Sequence, residues 1–131
     1  MDDLYIHNTN STPEINFEKS GKLKIRGKSL PEDPKRFFAP LFEWVNELNS
    51  DRVDIQVKLE YVNTSSSKRI IELLKTIDNN KKIKKVDLNW YYEIDDADML
   101  EFGEMIHHNL RRTKANYIEY EDTDDDFHFN Y

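Results

Sequence analysis

Four consecutive hydroxyl side chains, from Thr64 to Ser67, are the residues of this sequence best suited to chemistry. They follow Asn63 in the run NTSSSK. Two interpretations fit these residues. One hydroxyl, Ser65 or Ser66, could accept a hydrogen bond from a backbone N–H and cap a helix, while the others are solvated. Alternatively, one hydroxyl could accept a phosphoryl group, because a helix N-terminus tolerates negative charge.

A second candidate is the acidic group Asp95, Asp96 and Asp98. Clustered carboxylates can bind a metal ion or act as bases. However, Asp is also favoured as a helix cap and in the first helical turn. This interpretation explains the three acids with fewer assumptions than a metal or catalytic site. The four histidines lack ligand spacing, the three glycines form no phosphate-binding loop, and the chain has no cysteine. The sequence therefore predicts no catalytic residues, no metal site and no cofactor.

The hydroxyl run lies between a predicted strand and a predicted helix. Residues 53–61 alternate apolar and polar side chains, with Tyr61 on the apolar face, which is the period of a strand with one buried side. After the run, apolar residues recur at the spacing of an amphipathic helix, at Ile70, Ile71, Leu74 and Ile77. We therefore expect residues 63–67 to begin this helix.

Other elements follow from the same patterns. Residues 4–7 are a candidate short strand, and residues 12–17 and 22–26 predict a hairpin. Asp33 and Pro34 predict a helix start, although Pro40 predicts either a kink or a later start near Ala39.

The second half of the chain repeats the alternation of strand and helix. Residues 86–90 predict a strand and residues 117–120 another, on either side of a helix capped by Asp95 or Asp96. Gly103 inside that helix predicts close packing, for which the sheet backbone is a candidate neighbour.

Length and charge restrict the class of protein. The 131 residues suit one domain, for which we assign residues 1–120, and residues 121–131 form an acidic tail that we expect to be mobile. The net charge of −7 argues against a nucleic-acid partner. No stretch approaches the roughly 20 apolar residues of a membrane span, and the N-terminus does not resemble a signal peptide. We therefore expect a cytoplasmic protein with no membrane partner.

The order of elements predicts an α/β fold. A hairpin followed by strands that alternate with helices predicts a mixed sheet of about five strands, in which the later strands are parallel. Right-handed connections would place all three helices on one face, and the polar positions of the strands would line the other face. The result is a two-layer architecture.

The carboxyl ends of parallel strands meet at one edge of a sheet, where binding sites usually lie. We therefore expect residues 63–67 to lie close to Tyr91, Tyr92, Asp95 and Asp96. The two tyrosines fit either strand packing or an exposed aromatic contact. The predicted partner-binding surface consists of Asn63, Thr64, Ser65, Lys68, Tyr91 and Tyr92.

Several motifs together resemble a known family. TPEINF, GKLKIRGKSLPEDP, KLEYVNTSSSK, LNWYYEIDDADMLEFGE and NYIEY are similar to the SiaC family of bacterial regulatory phosphoproteins, from about Thr12 to Tyr120. That resemblance implies a fold like the anti-sigma-factor antagonist (STAS) domain, a β-α superhelix. General STAS antagonists carry an Asp-Ser-Ser-Gly-like site, and the different residues here favour a dedicated kinase.

The resemblance also implies a function. A protein kinase would phosphorylate the first hydroxyl of the run, which is Thr64 here, with Ser65 and Ser66 as alternatives. A PP2C-type phosphatase would reverse the reaction, and the unmodified form would bind an effector. In one branch of the family that effector resembles a GGDEF diguanylate cyclase, which implies cyclic-di-GMP signalling and biofilm control.

A rival function comes from a different class. The helix N-terminus after Asn63 could hold a free anion or the phosphate of a nucleotide, without covalent modification. An enzyme that uses the acids at residues 95–98 is a third possibility, and it would require a metal bound by those carboxylates.

Overall fold

Six strands and three helices make up the part of the chain that the structure describes. The computed structural model describes residues 1–121, so the predicted acidic tail lies outside the described residues except for Glu121. The elements are β1 (Leu4–Ile6), β2 (Glu14–Phe17), β3 (Lys22–Ser29), α1 (Pro34–Glu47), β4 (Arg52–Val62), α2 (Thr64–Asp78), β5 (Lys85–Glu93), α3 (Ala97–His108) and β6 (Lys114–Tyr120). Among them, no helix is long and apolar enough to cross a membrane.

The strands form a single mixed sheet in chain order, from β1 to β6. The first three strands pair antiparallel, and β3 to β6 pair parallel. This confirms the predicted α/β fold, with six strands instead of about five because residues 4–6 pair with β2. The three parallel pairings bring the carboxyl ends of β3, β4, β5 and β6 to one edge.

One hydrophobic core lies between the sheet and the helices. Alternate side chains of the strands, such as Ile55, Leu88 and Trp90, are buried in the same cluster as Leu41 of α1 and Leu74 of α2. The intervening strand residues are exposed or half-buried. The predicted arrangement, with one covered and one uncovered sheet face, is therefore confirmed.

Aspartate side chains cap α1 and α3. Asp33 accepts from the backbone N–H of Arg36 (3.1 Å), and Asp96 accepts from that of Met99 (3.0 Å). Helix α1 begins at Pro34 and includes Pro40, so the alternative start near Ala39 is wrong. Pro40 is exposed, on the side of the helix away from the core.

The predicted position of Tyr61 in the interior is wrong. The β3–β4 register shifts here, because Gly27 lies opposite Leu59 and Lys28 lies opposite Tyr61. One additional residue, Glu60, therefore interrupts the alternation of β4. As a result Tyr61 lies opposite the exposed Lys28 and is itself 50% exposed, whereas Val62 packs against the core.

Gly103 in α3 packs against the indole ring of Trp90 and not, as expected, against the sheet backbone. A Cβ at this position would lie 2.5 Å from two atoms of that ring. The ring cannot move away easily, because Trp90 is fully buried and its Nε1–H donates to the carbonyl of Met99 (2.9 Å). A glycine inside the helix is therefore required by the packing of the largest fully buried side chain.

We expect Gly103→Ala to destabilise the protein by about 1–3 kcal/mol, because the added methyl group overpacks the core. In an unobstructed helix the same change would stabilise by roughly 0.5–1 kcal/mol, so the sign of the effect tests the contact. Chemical denaturation provides the measurement, with Glu101→Ala at an exposed position of α3 as the control. A more stable Gly103→Ala protein would contradict the contact.

The far end of α2 is held by a buried carboxylate. Asp78 is 3% exposed and accepts from the backbone N–H groups of Arg111 (2.8 Å), Arg112 (3.2 Å) and Thr113 (3.0 Å), and from the Thr113 hydroxyl (2.6 Å). Burial by itself would raise the pKa of Asp78, but these hydrogen bonds outweigh it and the net pKa is lowered. The ionised carboxylate thus joins α2 to the segment between α3 and β6.

Candidate functional site

The N-terminus of α2 is capped by Asn63. Its side-chain oxygen accepts from the backbone N–H of Ser66 (2.9 Å), and its carbonyl accepts from the N–H and the hydroxyl of Ser67 (both 2.9 Å). The expectation that Ser65 or Ser66 caps this helix is therefore wrong. Asn is as good a cap as Ser, and the extended backbone of Asn63 places its side chain correctly.

The four hydroxyls differ in their access to solvent. Thr64 and Ser65 are exposed in the first turn of α2, whereas Ser67 is half-buried and bonded to the backbone. Ser66 is fully buried, and its Oγ lies 2.6 Å from the Oγ of Ser29, which is also fully buried. Only Thr64 and Ser65 therefore present a hydroxyl to an enzyme without local opening of the fold.

Ser29 fixes the start of α2 to the end of β3. In addition to its hydroxyl contact with Ser66, its carbonyl accepts from the N–H of Asn63 (3.1 Å). Our sequence reasoning missed Ser29. A signal was present, because Ser29 continues the inward alternation of Leu23 and Ile25 with a small polar residue that requires a buried partner.

Lys68 lies one helical turn after Thr64 and is exposed. Residues separated by four positions in a helix are neighbours on its surface. The Lys68 ammonium group is therefore within reach of a negative charge placed on the Thr64 hydroxyl.

The two tyrosines after Trp90 lie on opposite faces of the sheet. Tyr91 pairs with Lys58 and Ile118 and is half-buried on the uncovered face. Tyr92 packs against the core on the helix side, and its hydroxyl donates to Glu119 (3.5 Å). Desolvation and the Glu119 carboxylate raise the pKa of Tyr92. Successive strand residues cannot share one contact surface, so the structure brings Tyr91 but not Tyr92 to the uncovered face.

The acidic residues after β5 do not converge on a site. Asp96 caps α3, and Asp95 and Asp98 are exposed. Within residues 1–121 no group of three or more His, Asp or Glu side chains could hold a metal ion. The capping role predicted for this acidic group is confirmed for Asp96.

Two large apolar side chains at the carboxyl edge of the sheet are exposed, and the sequence did not identify either of them as a surface residue. Tyr61 is 50% exposed three residues before Thr64, and Ile94 is 46% exposed directly after β5. The N–H of Ile94 donates to the carbonyl of Tyr120 (2.9 Å), which holds this residue at the end of β6. Contiguous exposed apolar side chains mark surfaces that bind other proteins, so Tyr61 and Ile94 are candidates for a contact at this edge.

Comparison with known proteins gives matches over most of the chain. Residues 6–120 match the model of the SiaC family regulatory phosphoproteins. An uncharacterized protein of Pseudomonas aeruginosa (strain UCBPP-PA14) is 32% identical over 98 residues, which cover 71% of this chain and 78% of that protein.

Solved structures agree with this match. The crystal structure of apo-SiaC from Pseudomonas aeruginosa has a TM-score of 0.74 at 29% identity, and covers 90% of this chain and 99% of its own. The structure of diguanylate cyclase SiaD in complex with its activator SiaC, from the same organism, has a TM-score of 0.78 at 26% identity. It covers 90% of this chain and 100% of its own. The protein described here therefore belongs to the SiaC family of regulatory phosphoproteins.

Proposed function

We propose that this chain is a non-enzymatic partner switch whose unmodified form binds an effector protein and whose phosphorylation on Thr64 ends that binding. The observation that carries the proposal is the exposed Thr64 hydroxyl at the first position of α2. Of its neighbours, Ser66 is buried and Ser67 is bonded to the backbone, so both are poor kinase substrates. Ser65 is the remaining alternative.

The solved relatives support a diguanylate cyclase as the effector. The SiaC of Pseudomonas aeruginosa is the activator of the cyclase SiaD, with which it forms a complex. The same fold and the same family in this chain support a GGDEF-type cyclase as its partner, and hence a role in cyclic-di-GMP signalling and biofilm regulation. Neutral polar groups at Asn63 and Ser65, with exposed Tyr61 and Ile94 at the same edge, form a surface that is desolvated at little cost.

Phosphorylation would change this surface without unfolding the protein. Transfer of the γ-phosphoryl group of ATP to the Thr64 hydroxyl adds a charge of about −1.5 to −2. The positive end of the α2 dipole and the Lys68 ammonium group favour that charge locally. We propose a protein kinase for this step and a PP2C-type phosphatase for hydrolysis of the phosphothreonine. We expect both reactions to occur in the cytoplasm.

The geometry disfavours the rival anion-binding function. Of the backbone N–H groups that an anion at this helix start could use, that of Asn63 already donates to the Ser29 carbonyl and that of Ser66 to the Asn63 side chain, so fewer donors remain for an anion.

We expect the cognate kinase and ATP to place one phosphate on Thr64. Mass spectrometry of the intact and digested protein is the measurement, and Thr64→Ala should abolish the signal while Ser65→Ala retains it. Thr64 is exposed, so both variants should keep the unfolding temperature of the unmodified protein within a few degrees. Phosphate that persists in Thr64→Ala, or that maps to Ser65, would contradict the assignment.

A further inference from the structure

Strand β6 is one of the two edges of the sheet. Within residues 1–121 it pairs with β5 on one side and with no strand on the other. Its seven residues stay in register with β5 without a bulge, and none of them is proline. The opposite edge strand, β1, has only three residues. A long and regular edge is a template for pairing with another strand, and proteins usually shorten or distort such edges.

The backbone groups of β6 that point away from β5 belong to alternate residues. The carbonyl of Tyr120 accepts from the N–H of Ile94 (2.9 Å), so the backbone groups of Tyr120 point toward β5. In a regular ladder this direction alternates along the strand. Ala115, Tyr117 and Glu119 therefore direct their N–H and carbonyl groups outward, where a further strand can pair with them.

The two ends of β6 carry opposite charges. Arg111 and Lys114 lie at its amino end and Glu119 and Glu121 at its carboxyl end, and all four side chains are exposed. Antiparallel pairing of β6 with β6 of a second copy places the basic end of each strand beside the acidic end of the other. Parallel pairing would place like charges together, which is destabilising. The strand is therefore complementary to itself in the antiparallel orientation.

One register of this pairing uses all of the outward backbone groups of β6. With Tyr117 opposite Tyr117 of the second copy, Ala115 lies opposite Glu119, and the strands exchange about six hydrogen bonds. A shift toward the amino end would place Glu119 opposite Thr113, whose N–H already donates to the Asp78 carboxylate (3.0 Å). The centred register also places the two half-buried Tyr117 rings opposite each other, and aromatic pairs across strands are favourable.

We propose that two copies of this chain pair antiparallel through β6, with Tyr117 at the two-fold axis, so that one continuous sheet runs across both copies. Two-fold contacts are the commonest form of homodimer. Since the parallel strands of the two copies run in opposite directions, the two Thr64 hydroxyls lie at opposite ends of the dimer. The contact leaves both of them accessible, and the proposal does not depend on phosphorylation of Thr64.

Sedimentation velocity of the full chain tests the association. We expect the sedimentation coefficient to rise with protein concentration over roughly the micromolar to millimolar range, because a contact through one strand buries less surface than a stable interface. A monomer at every concentration in this range would overturn the proposal.

Proline variants test whether the association uses the edge of β6. Ala115→Pro removes an outward N–H and leaves the ladder to β5 intact, so it should keep the chain monomeric. Ala115→Ser retains the N–H and, as the matched control, should associate like the unmodified protein. Circular dichroism checks that Ala115→Pro is folded, and Glu119→Pro gives the same test at the other end of β6. Association of the folded proline variants that is as strong as that of the unmodified protein would assign the dimer to another surface and overturn the proposal.

Disulfide formation between two single-cysteine variants tests the register, because the chain has no cysteine of its own. In the centred register Asn116 lies opposite Ile118 of the second copy with a Cα–Cα distance of about 4.5 Å, and disulfides form at about 4.4–6.8 Å. Each variant alone places its two thiols at diagonal positions, roughly 7–8 Å apart. A mixture of Asn116→Cys and Ile118→Cys should therefore give mainly the mixed dimer, which mass spectrometry identifies.

The control for this reaction is Lys75→Cys, at an exposed position of α2. It measures the disulfide formed by random collision, and the mixed dimer should exceed it clearly. Mainly unmixed dimers, or a mixed dimer no more abundant than this control, would contradict the proposed register and the contact through β6.

Discussion

Phosphorylation of Thr64 is expected to weaken the complex with a diguanylate cyclase effector by roughly 100-fold or more. The reason is electrostatic, because a doubly charged group within an interface must lose its hydration when the partner binds. Penalties of this kind amount to several kcal/mol, and about 1.4 kcal/mol corresponds to a tenfold change in Kd. Titration calorimetry with the purified, fully phosphorylated protein gives the affinity directly.

The control for this prediction is Thr64→Ala treated with the same kinase. That variant should retain its affinity for the effector, because it loses only one exposed hydroxyl group. The phosphorylated protein should also keep its unfolding temperature, since Lys68 and the helix dipole stabilise the phosphate. Equal affinity of the phosphorylated and unmodified proteins would show that Thr64 lies outside the interface.

Asp78→Asn is expected to destabilise the protein by about 3 kcal/mol, and to lower its unfolding midpoint by roughly 10 °C. The amide has the shape of the carboxylate, but its NH₂ group opposes a backbone N–H of the segment at Arg111 to Thr113 and leaves that donor without an acceptor. Asp51→Asn is the matched control. The Asp51–Lys84 ion pair is exposed on both sides, and its loss should change stability by no more than about 0.5 kcal/mol.

The same carboxylate makes stability depend on pH. Because the pKa of Asp78 is lowered in the folded state, its contribution is fully present above the pKa of the unfolded chain and is lost as the pH falls through the folded value. The difference in unfolding free energy between the unmodified protein and Asp78→Asn should therefore be largest near neutral pH and shrink below about pH 4. A difference that is constant from pH 7 to pH 3 would contradict an ionised, hydrogen-bonded Asp78.

Most of the fold could be predicted from the sequence because its patterns are local. Alternation in β3, β4 and β5 gave the strands and the uncovered face, and helical spacing after Pro34, Thr64 and Ala97 gave the three helices. The cap at Asp33 followed from residue type, and residue type limited the cap of α3 to Asp95 or Asp96, of which the structure shows Asp96. These features depend on neighbours within a few positions, which a single sequence displays.

The candidate site was predicted less completely, because its details depend on contacts between distant segments. The hydroxyl contact between Ser29 and Ser66 joins residues 37 positions apart, and it decides which hydroxyls of the run remain accessible. The choice of Asn63 over a serine as the cap depends on the same junction. Likewise, the exposure of Tyr61 follows from pairing with β3 and not from the alternation within β4.

The additional residue Glu60 affects where the fold tolerates an insertion or deletion. After Glu60, Tyr61 and Val62 pair regularly with Lys28 and Ser29. The start of α2 is therefore fixed by pairing with the end of β3, and it does not depend on the number of residues in β4. A homologue could lose this residue, or carry it, without a displacement of the following threonine. We therefore expect an insertion or deletion at Glu60 to be tolerated, whereas the same change after Val62 would separate Asn63 from Ser29 and displace the Thr64 hydroxyl.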